Sequence, residues 1–330
     1  MLRWLILALL LAAMGLAAGC GEKQEAAQAE KRHILTVYSE LDHKFTEELL
    51  QSFNEHNDKQ IAAKAVYELK PDAPLPDMAL AELRAMDGFK QAGDLKPVAF
   101  AAGDRLPEKL RDGDLCWYGV FYDPTVFLVN QQFARVIGQR SLTGWVDLEN
   151  NEHLRIAMEN LSDSSSTQNF LGAFADAMGE TTSLNYLWNI NRFVGQYAKF
   201  PFTSVRMAAV GDTDLAITRQ SYVFKYLENK FPAYVVHPKE GTPVNLYCMG
   251  IFRSCKADVQ ALAFMEWLLS DERVQAVSQT NNTGFLFLFP RGLDGGAADA
   301  SKLWLNKSYL QPDAQEELTN KWLEKVRFSR

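Results

Sequence analysis

The densest run of oxygen donors in the chain is Ser162-Asp163-Ser164-Ser165-Ser166-Thr167-Gln168. It follows the short apolar run Arg155-Ile156-Ala157-Met158 and precedes Phe170, Leu171, Phe174 and Met178, which recur at helical spacing. Where a strand gives way to a helix, the first amides lack intrahelical acceptors and the helix dipole is positive. The hydroxyls of Ser164, Ser165, Ser166 and Thr167 at such a point suit an anion, and they equally suit plain capping of the helix. A second cluster, Thr218-Arg219-Gln220-Ser221-Tyr222, follows the apolar run Leu215-Ala216-Ile217. A guanidinium there pairs two-pronged with a carboxylate or phosphate, and with the serine loop opposite it makes a two-sided anion clamp. The plainer alternative is an arginine facing solvent at a strand end.

The elements that must hold these groups alternate strand and helix. His33-Ile34-Leu35-Thr36-Val37-Tyr38 predicts a buried strand, and Phe45, Leu49, Leu50 and Phe53 predict an amphipathic helix over 44–57. Met78-Ala79-Leu80-Ala81, after Pro76-Asp77, predicts a second, parallel strand, so the chain opens as a βαβ unit of an α/β fold. Residues 116–129 are aromatic and β-branched and predict two strands separated by Asp123-Pro124. Further helices are expected over 183–193, 204–210 and, as one long helix, 258–280. Strands are expected at Leu215-Ala216-Ile217-Thr218, Tyr234-Val235-Val236 and 246–252. A last helix is expected over 313–330, with Asp313 as its N-cap.

The first twenty residues place the protein. Arg3, an apolar run over 4–18 and the small residues before Cys20 follow the order of an export signal, and the run is shorter than the ~20 apolar residues that a membrane-spanning helix needs. The segment 1–19 resembles a bacterial lipoprotein signal peptide, which implies cleavage before Cys20 and a lipid on that cysteine. The polar stretch that follows reads as a tether, so the domain is expected in the cell envelope, in the periplasm or on the outer face of the cytoplasmic membrane. Net charge is −7 with both signs interspersed, and the basic stripe of a nucleic-acid binder is missing. With Cys20 assigned to lipid, Cys116, Cys248 and Cys255 remain, which allows one disulfide at most. Cys248 and Cys255 are near enough in sequence to bridge a strand end, whereas Cys248 inside Leu246-Tyr247-Cys248-Met249-Gly250 reads as a small buried hydrophobe.

Several landmarks occur in a telling order: Thr36-Val37-Tyr38-Ser39, Pro76-Asp77 with Glu82, a loop at Trp145-Val146-Asp147-Leu148, the helix start at 164–168, and Gly211-Asp212 leading to Tyr222. Over almost all of the mature chain this resembles the type II periplasmic solute-binding proteins of ABC importers, and most of all their ferric-ion-binding cluster. The resemblance implies a two-lobed α/β fold with hinge strands. Lobe 1 would hold 33–123 plus 247–290, lobe 2 would hold 124–246, and 291–330 would form a helical segment packed across both. The tether would cover 20–32.

What the resemblance implies for function is a monomeric receptor that captures a small solute or metal ion between its lobes and delivers it to a membrane permease. It is not an enzyme, and it has no resident cofactor beyond ferric iron as cargo. Relatives that carry iron place two adjacent tyrosines where this chain has Ser221-Tyr222, so only Tyr222 matches; Glu82 falls where some supply a carboxylate ligand, and their histidine position falls on Asp42. The implied metal ligands are Glu82 and Tyr222. The other implied ligand-binding residues are Ser39, Glu40, Ser164, Ser165, Ser166, Thr167, Arg219 and Ser221, with Tyr38 beside them and Trp117 and Tyr118 as an apolar wall. Two alternatives stand beside ferric iron with an accessory anion. One is a small organic anion such as a phosphonate, sugar phosphate or carboxylate, which Arg219 favours. The other is an enzyme resembling thiaminase I, with Cys116 as nucleophile, although Asp114-Leu115-Cys116-Trp117 supplies no evident base.

Overall fold

The computed structural model describes residues 34–57, 59, 61–137, 142–151, 153–227, 231–288 and 299–329. Cys20, the leader and the tether lie outside them. The chain begins β1 (Leu35–Ser39), α1 (His43–His56), β2 (Ala63–Val66), β3 (Met78–Glu82) and α2 (Leu83–Gln91). Both β2 and β3 lie parallel to β1, one on each side. The half-exposed, lysine-containing β2 carries no alternation that marks it in sequence. Asp77 pins the centre of this group: its Oδ2 accepts from Thr36 N at 2.8 Å and Thr36 Oγ1 at 2.7 Å.

The two strands expected around Asp123-Pro124 are one, β4 (Tyr118–Asn130), buried along its whole length. Proline is tolerated there because the ladder changes partner at that point. From Tyr118 to Pro124 the strand pairs antiparallel with β9 (Thr242–Ile251), and from Thr125 to Val129 with β7 (Leu215–Arg219). Between them in the chain come β5 (Ile156–Glu159), α3 (Ser165–Met178), α4 (Glu180–Asn191), β6 (Val194–Ala198) and α5 (Pro201–Val210). After β7 come α6 (Gln220–Leu227) and β8 (Ala233–Val236). Among the described residues the sheet runs β2-β1-β3-β9-β4-β7-β5-β6, with β8 pairing β4.

The register aims the strand ends at one another. β3 is antiparallel to β9, β9 to β4 and β4 to β7, so β5, β6 and β7 run opposite to β1, β2 and β3. The carboxyl ends of both sets, Ser39 and Glu82 on one side and Glu159 and Arg219 on the other, therefore approach the middle of β4. The amino ends of β5 and β7 are pinned by Asp214, which accepts from Arg155 N at 2.8 Å and pairs with its guanidinium at 2.7 Å. Gly211, with φ of 88°, closes α5 in the left-handed conformation that glycine adopts without strain.

Two large apolar clusters flank the crossing. One gathers Leu35, Phe45, Phe53, Phe121, Phe252 and Phe264. The other gathers Phe127, Trp145, Phe174, Ile217 and Trp322. Three further expectations differ from what is found. The helix over 258–280 is two, α7 (Asp258–Ser270) and α8 (Glu272–Thr280), because Asp271 turns extended and caps the second by accepting from Arg273 N. Trp145-Val146-Asp147-Leu148 lies in a short helix, Trp145–Glu149, whose first turn is held by Asp147 accepting from Thr143 N and Gly144 N. In the last helix, α9 (Pro312–Trp322), Gln311 is the N-cap and Asp313 sits inside the first turn, since Pro312 takes the first helical position.

The C-terminal segment joins both clusters, Leu303 and Leu310 in the first and Leu318, Trp322 and Val326 in the second. Trp322 is fully buried. Trp322→Ala is expected to cost about 3–5 kcal/mol by leaving a cavity, read as a lowered midpoint in urea unfolding.

Candidate functional site

Arg219 ends β7 with only 15% of its side chain exposed. Its ion-pair partner, Asp123 Oδ2, is 3.9 Å away, too far for a hydrogen bond, and among the described residues no hydrogen bond leaves its guanidinium. The guanidinium lies over the Tyr222 ring, 4.3 Å from its centroid. Burial works against the Arg219 charge, and Asp123, Tyr247, Glu82 and Glu159 more than reverse that effect. The result is a charged fork held in place from beneath, with its donors unspent.

Asp123 organises the other side. Its Oδ1 accepts from Ser221 N at 3.0 Å and its Oδ2 from Ser221 Oγ at 2.6 Å. Complete burial pushes its carboxyl up to about 6 against the pull of Arg219 and Ser221. Ser221 is thereby spent within the fold, and its hydroxyl is turned to a carboxylate. Glu159, at the end of β5, is pushed up to about 7 by burial, with Arg219 opposing and Asp123 adding to the rise.

Arg219 separates two hollows. One, of about 160 Å³, is lined by Glu40, Asp42, Arg219, Ser221, Tyr222 and Tyr247, with Phe45, Asn281 and Thr283 among its other walls. The other, of about 30 Å³, is lined by Thr125, Glu159, Ser166, Thr167, Thr218 and Arg219 over an apolar floor that includes Met158 and Ile217. Asn245 spans the crossing: its Nδ2 donates to Ser166 Oγ at 2.6 Å and Glu82 Oε1 at 3.3 Å, and its Oδ1 accepts from Asn169.

The residues expected from sequence divide accordingly. Glu40, Arg219, Ser221 and Tyr222 meet at the larger hollow, and Ser166, Thr167 and Arg219 at the smaller. Glu82 lies between, its carboxylate accepting from Asn245 and from Tyr247 Oη at 3.2 Å, so Glu82 and Tyr222 do not line one hollow. Glu40 is tied to the same strand end by accepting from Glu82 N at 2.9 Å, and burial raises its carboxyl. Ser39 turns inward, 2.8 Å from Thr46 Oγ1. Ser164 and Thr167 cap α3 reciprocally, Thr167 N donating to Ser164 Oγ and Ser164 N to Thr167 Oγ1, both at 3.2 Å, and Ser165 is exposed. Trp117 and Tyr118 are core, Tyr118 donating to Val98 O.

Sequence reasoning missed Asp123, Glu159, Asn245 and Tyr247. Glu159 is marked by its place at the carboxyl end of β5, beside the position where ligands of open α/β sheets bind. Asp123 looked like half of a turn. Cys116, Cys248 and Cys255 are free and buried. Burial and Asp112 push the Cys116 thiol up, away from the thiolate that a nucleophile requires.

Residues 73–310 match the family of bacterial extracellular solute-binding proteins, and the chain belongs to that family. It is 23% identical over 280 residues to iron uptake protein A1 of Synechocystis sp., covering 79% of this chain and 75% of that protein. The iron- and citrate-bound Trichodesmium protein IdiA (FutA) superposes with a TM-score of 0.70 at 17% identity, covering 90% of this chain and 100% of that one. AfuA of Actinobacillus pleuropneumoniae, with fructose-6-phosphate bound, gives 0.64 at 18%, covering 90% and 99%. These likenesses show the type II periplasmic binding protein fold.

Asp123 and Glu159 titrate higher folded than unfolded, so the stability linked to them is full below the ordinary carboxylate range and is lost as pH rises through about 6 and about 7. The ligand-free protein is expected to melt at a lower temperature at pH 8 than at pH 5. Glu159→Gln is expected to flatten part of that slope in scanning calorimetry.

Proposed function

We propose that this chain is the extracytoplasmic receptor of an ABC importer, a lipid-anchored monomer that captures ferric iron with an accessory anion between its lobes and delivers it to a membrane permease. The lobes divide as the chain crosses β4, with 33–123 plus 247–290 as the first, 124–246 as the second and 291–330 across both. Anchoring is by a lipid on Cys20. The observation that carries the reading is Arg219, a largely enclosed guanidinium without a hydrogen bond among the described residues, which faces a hollow also lined by Glu40 and Tyr222. The fork receives a carboxylate or phosphate. The carboxylate of Glu40 and the phenol of Tyr222 are hard oxygen donors for a hard trivalent cation.

Among the described residues no group of three or more His, Cys, Asp or Glu is placed to hold a metal ion. A metal set against Glu40 and Tyr222 gains further ligands from an anionic chelate, which also answers Arg219. The iron-uptake relatives favour the metal. A second reading, a metal-free organic anion such as a sugar phosphate, is favoured by Ser221, whose hydroxyl is committed to Asp123 where a metal-binding tyrosine would stand.

Thermal shift with ferric citrate, citrate alone and fructose-6-phosphate separates the two. Ferric citrate at ~100 times its dissociation constant is expected to stabilise the protein by about 2.7 kcal/mol. Arg219→Ala is expected to abolish the shift, and Tyr222→Phe to remove a phenolate-to-iron absorption band. A shift with fructose-6-phosphate and none with ferric citrate gives the second reading; a shift with none of the three refutes both.

A further inference from the structure

The smaller hollow has no part in the reading above. It is bounded by the ends of β5 and β7 and by the first turn of α3, and at about 30 Å³ it exceeds the roughly 10–15 Å³ that one water requires. Two of its groups are left unsatisfied by the fold. Thr218 Oγ1 is buried without a hydrogen-bond partner. Among the described residues no hydrogen bond reaches the Glu159 carboxylate, which faces the same space. A buried hydroxyl without a partner is costly, so the space suits an occupant that supplies one, a water or a hydroxyl of the solute.

The chemistry of the walls narrows that occupant. A second anionic group would be set against Glu159. A metal ion would find one carboxylate and hydroxyls only. An ammonium would lie against Arg219, which lines the same space. A hydroxyl fits both open valences, since it donates to Glu159 and accepts from Thr218, and Ser166 Oγ, which accepts from Asn245, has its own proton to offer. Met158, Leu161, Phe170 and Ile217 cover the carbon that bears it.

We infer that this recess is a hydroxyl subsite, and that the anion held by Arg219 is a hydroxylated one, with Thr218 and Glu159 setting the preference. The inference rests on the anion reading of Arg219 and deepens it. The larger hollow takes the charged end of the solute, and the recess takes a hydroxyl near Arg219.

Matched probes differ by that hydroxyl alone: L-malate against succinate, and 3-hydroxypropyl phosphate against propyl phosphate, each titrated calorimetrically with and without ferric iron. The hydroxylated member of at least one pair is expected to bind tenfold tighter or more. Thr218→Val is expected to erase that margin while leaving the hydroxyl-free member unchanged, its fold verified by a melting temperature no lower than that of the parent protein. Glu159→Gln, which keeps an acceptor oxygen, is expected to retain part of the margin and serves as the second variant should Thr218→Val not fold. Equal binding within both pairs overturns the subsite and leaves the anion reading standing. Binding by no probe, with or without iron, overturns the anion reading of Arg219 and the subsite with it.

Discussion

Asp123 is the group on which the crossing and the site both depend. It sits on β4 where that strand leaves β9 and takes up β7, one residue before Pro124, and it is almost completely enclosed. A carboxylate in that position is costly unless its oxygens are occupied, and Ser221 occupies both, through its amide and its hydroxyl. The start of α6 is thus fastened to the middle of the crossing strand. Arg219, two residues earlier, is brought within 3.9 Å of the same carboxylate. At that separation the charge of Asp123 stabilises the guanidinium, yet none of its donors is consumed. A tight two-pronged pair would have been the stronger structural bond and a poorer receptor, because a ligand would have to break it first.

The balance of charge around Arg219 explains why a simple anion trap is an incomplete description. Glu82, Asp123 and Glu159 all act on it electrostatically, while Glu40 lines the larger hollow beside it. One fixed cation among several carboxylates, in a medium of lower dielectric than water, would repel a plain anion everywhere except along the direction of the fork. Burial answers part of this by favouring the neutral forms of Asp123 and Glu159. On the proposed reading, the rest falls to the solute, through a metal that satisfies the carboxylates or through hydroxyls that donate to them.

Legibility from sequence followed the range of the interactions involved. β1, α1, β3 and the start of α3 rest on local periodicity and capping, so Leu35, Phe45, Leu49, Phe53 and Ser164 announce them. The single strand β4 was hidden because Asp123-Pro124 carries the local signature of a turn, and only the change of pairing partner makes proline acceptable there. Arg219 was legible as the residue where a strand ends, and it is the last residue of β7. The hydrogen bonds of Ser221 were not legible, because they are made to Asp123, ninety-eight residues away in the chain. Asn245, inside a fully buried strand, became meaningful only when the register set it between Glu82 and Ser166.

The serine loop shows how one motif divides its labour. Ser164 and Thr167 satisfy each other's amides, so the helix end holds itself without an anion. Ser166, one turn-position away, points inward and meets Asn245, whose other contacts reach Glu82 at the end of β3 and Asn169 on α3. A polar chain therefore runs from the strand ends of one apolar cluster to the first turn of a helix in the other, beside Arg219. The polar groups gathered here are side chains whose spacing depends on both halves of the fold being in register, and not the backbone amides that any helix offers. Asp123, Ser221 and Asn245 thereby fix the positions of the Arg219 fork and of the walls around it from both halves of the fold.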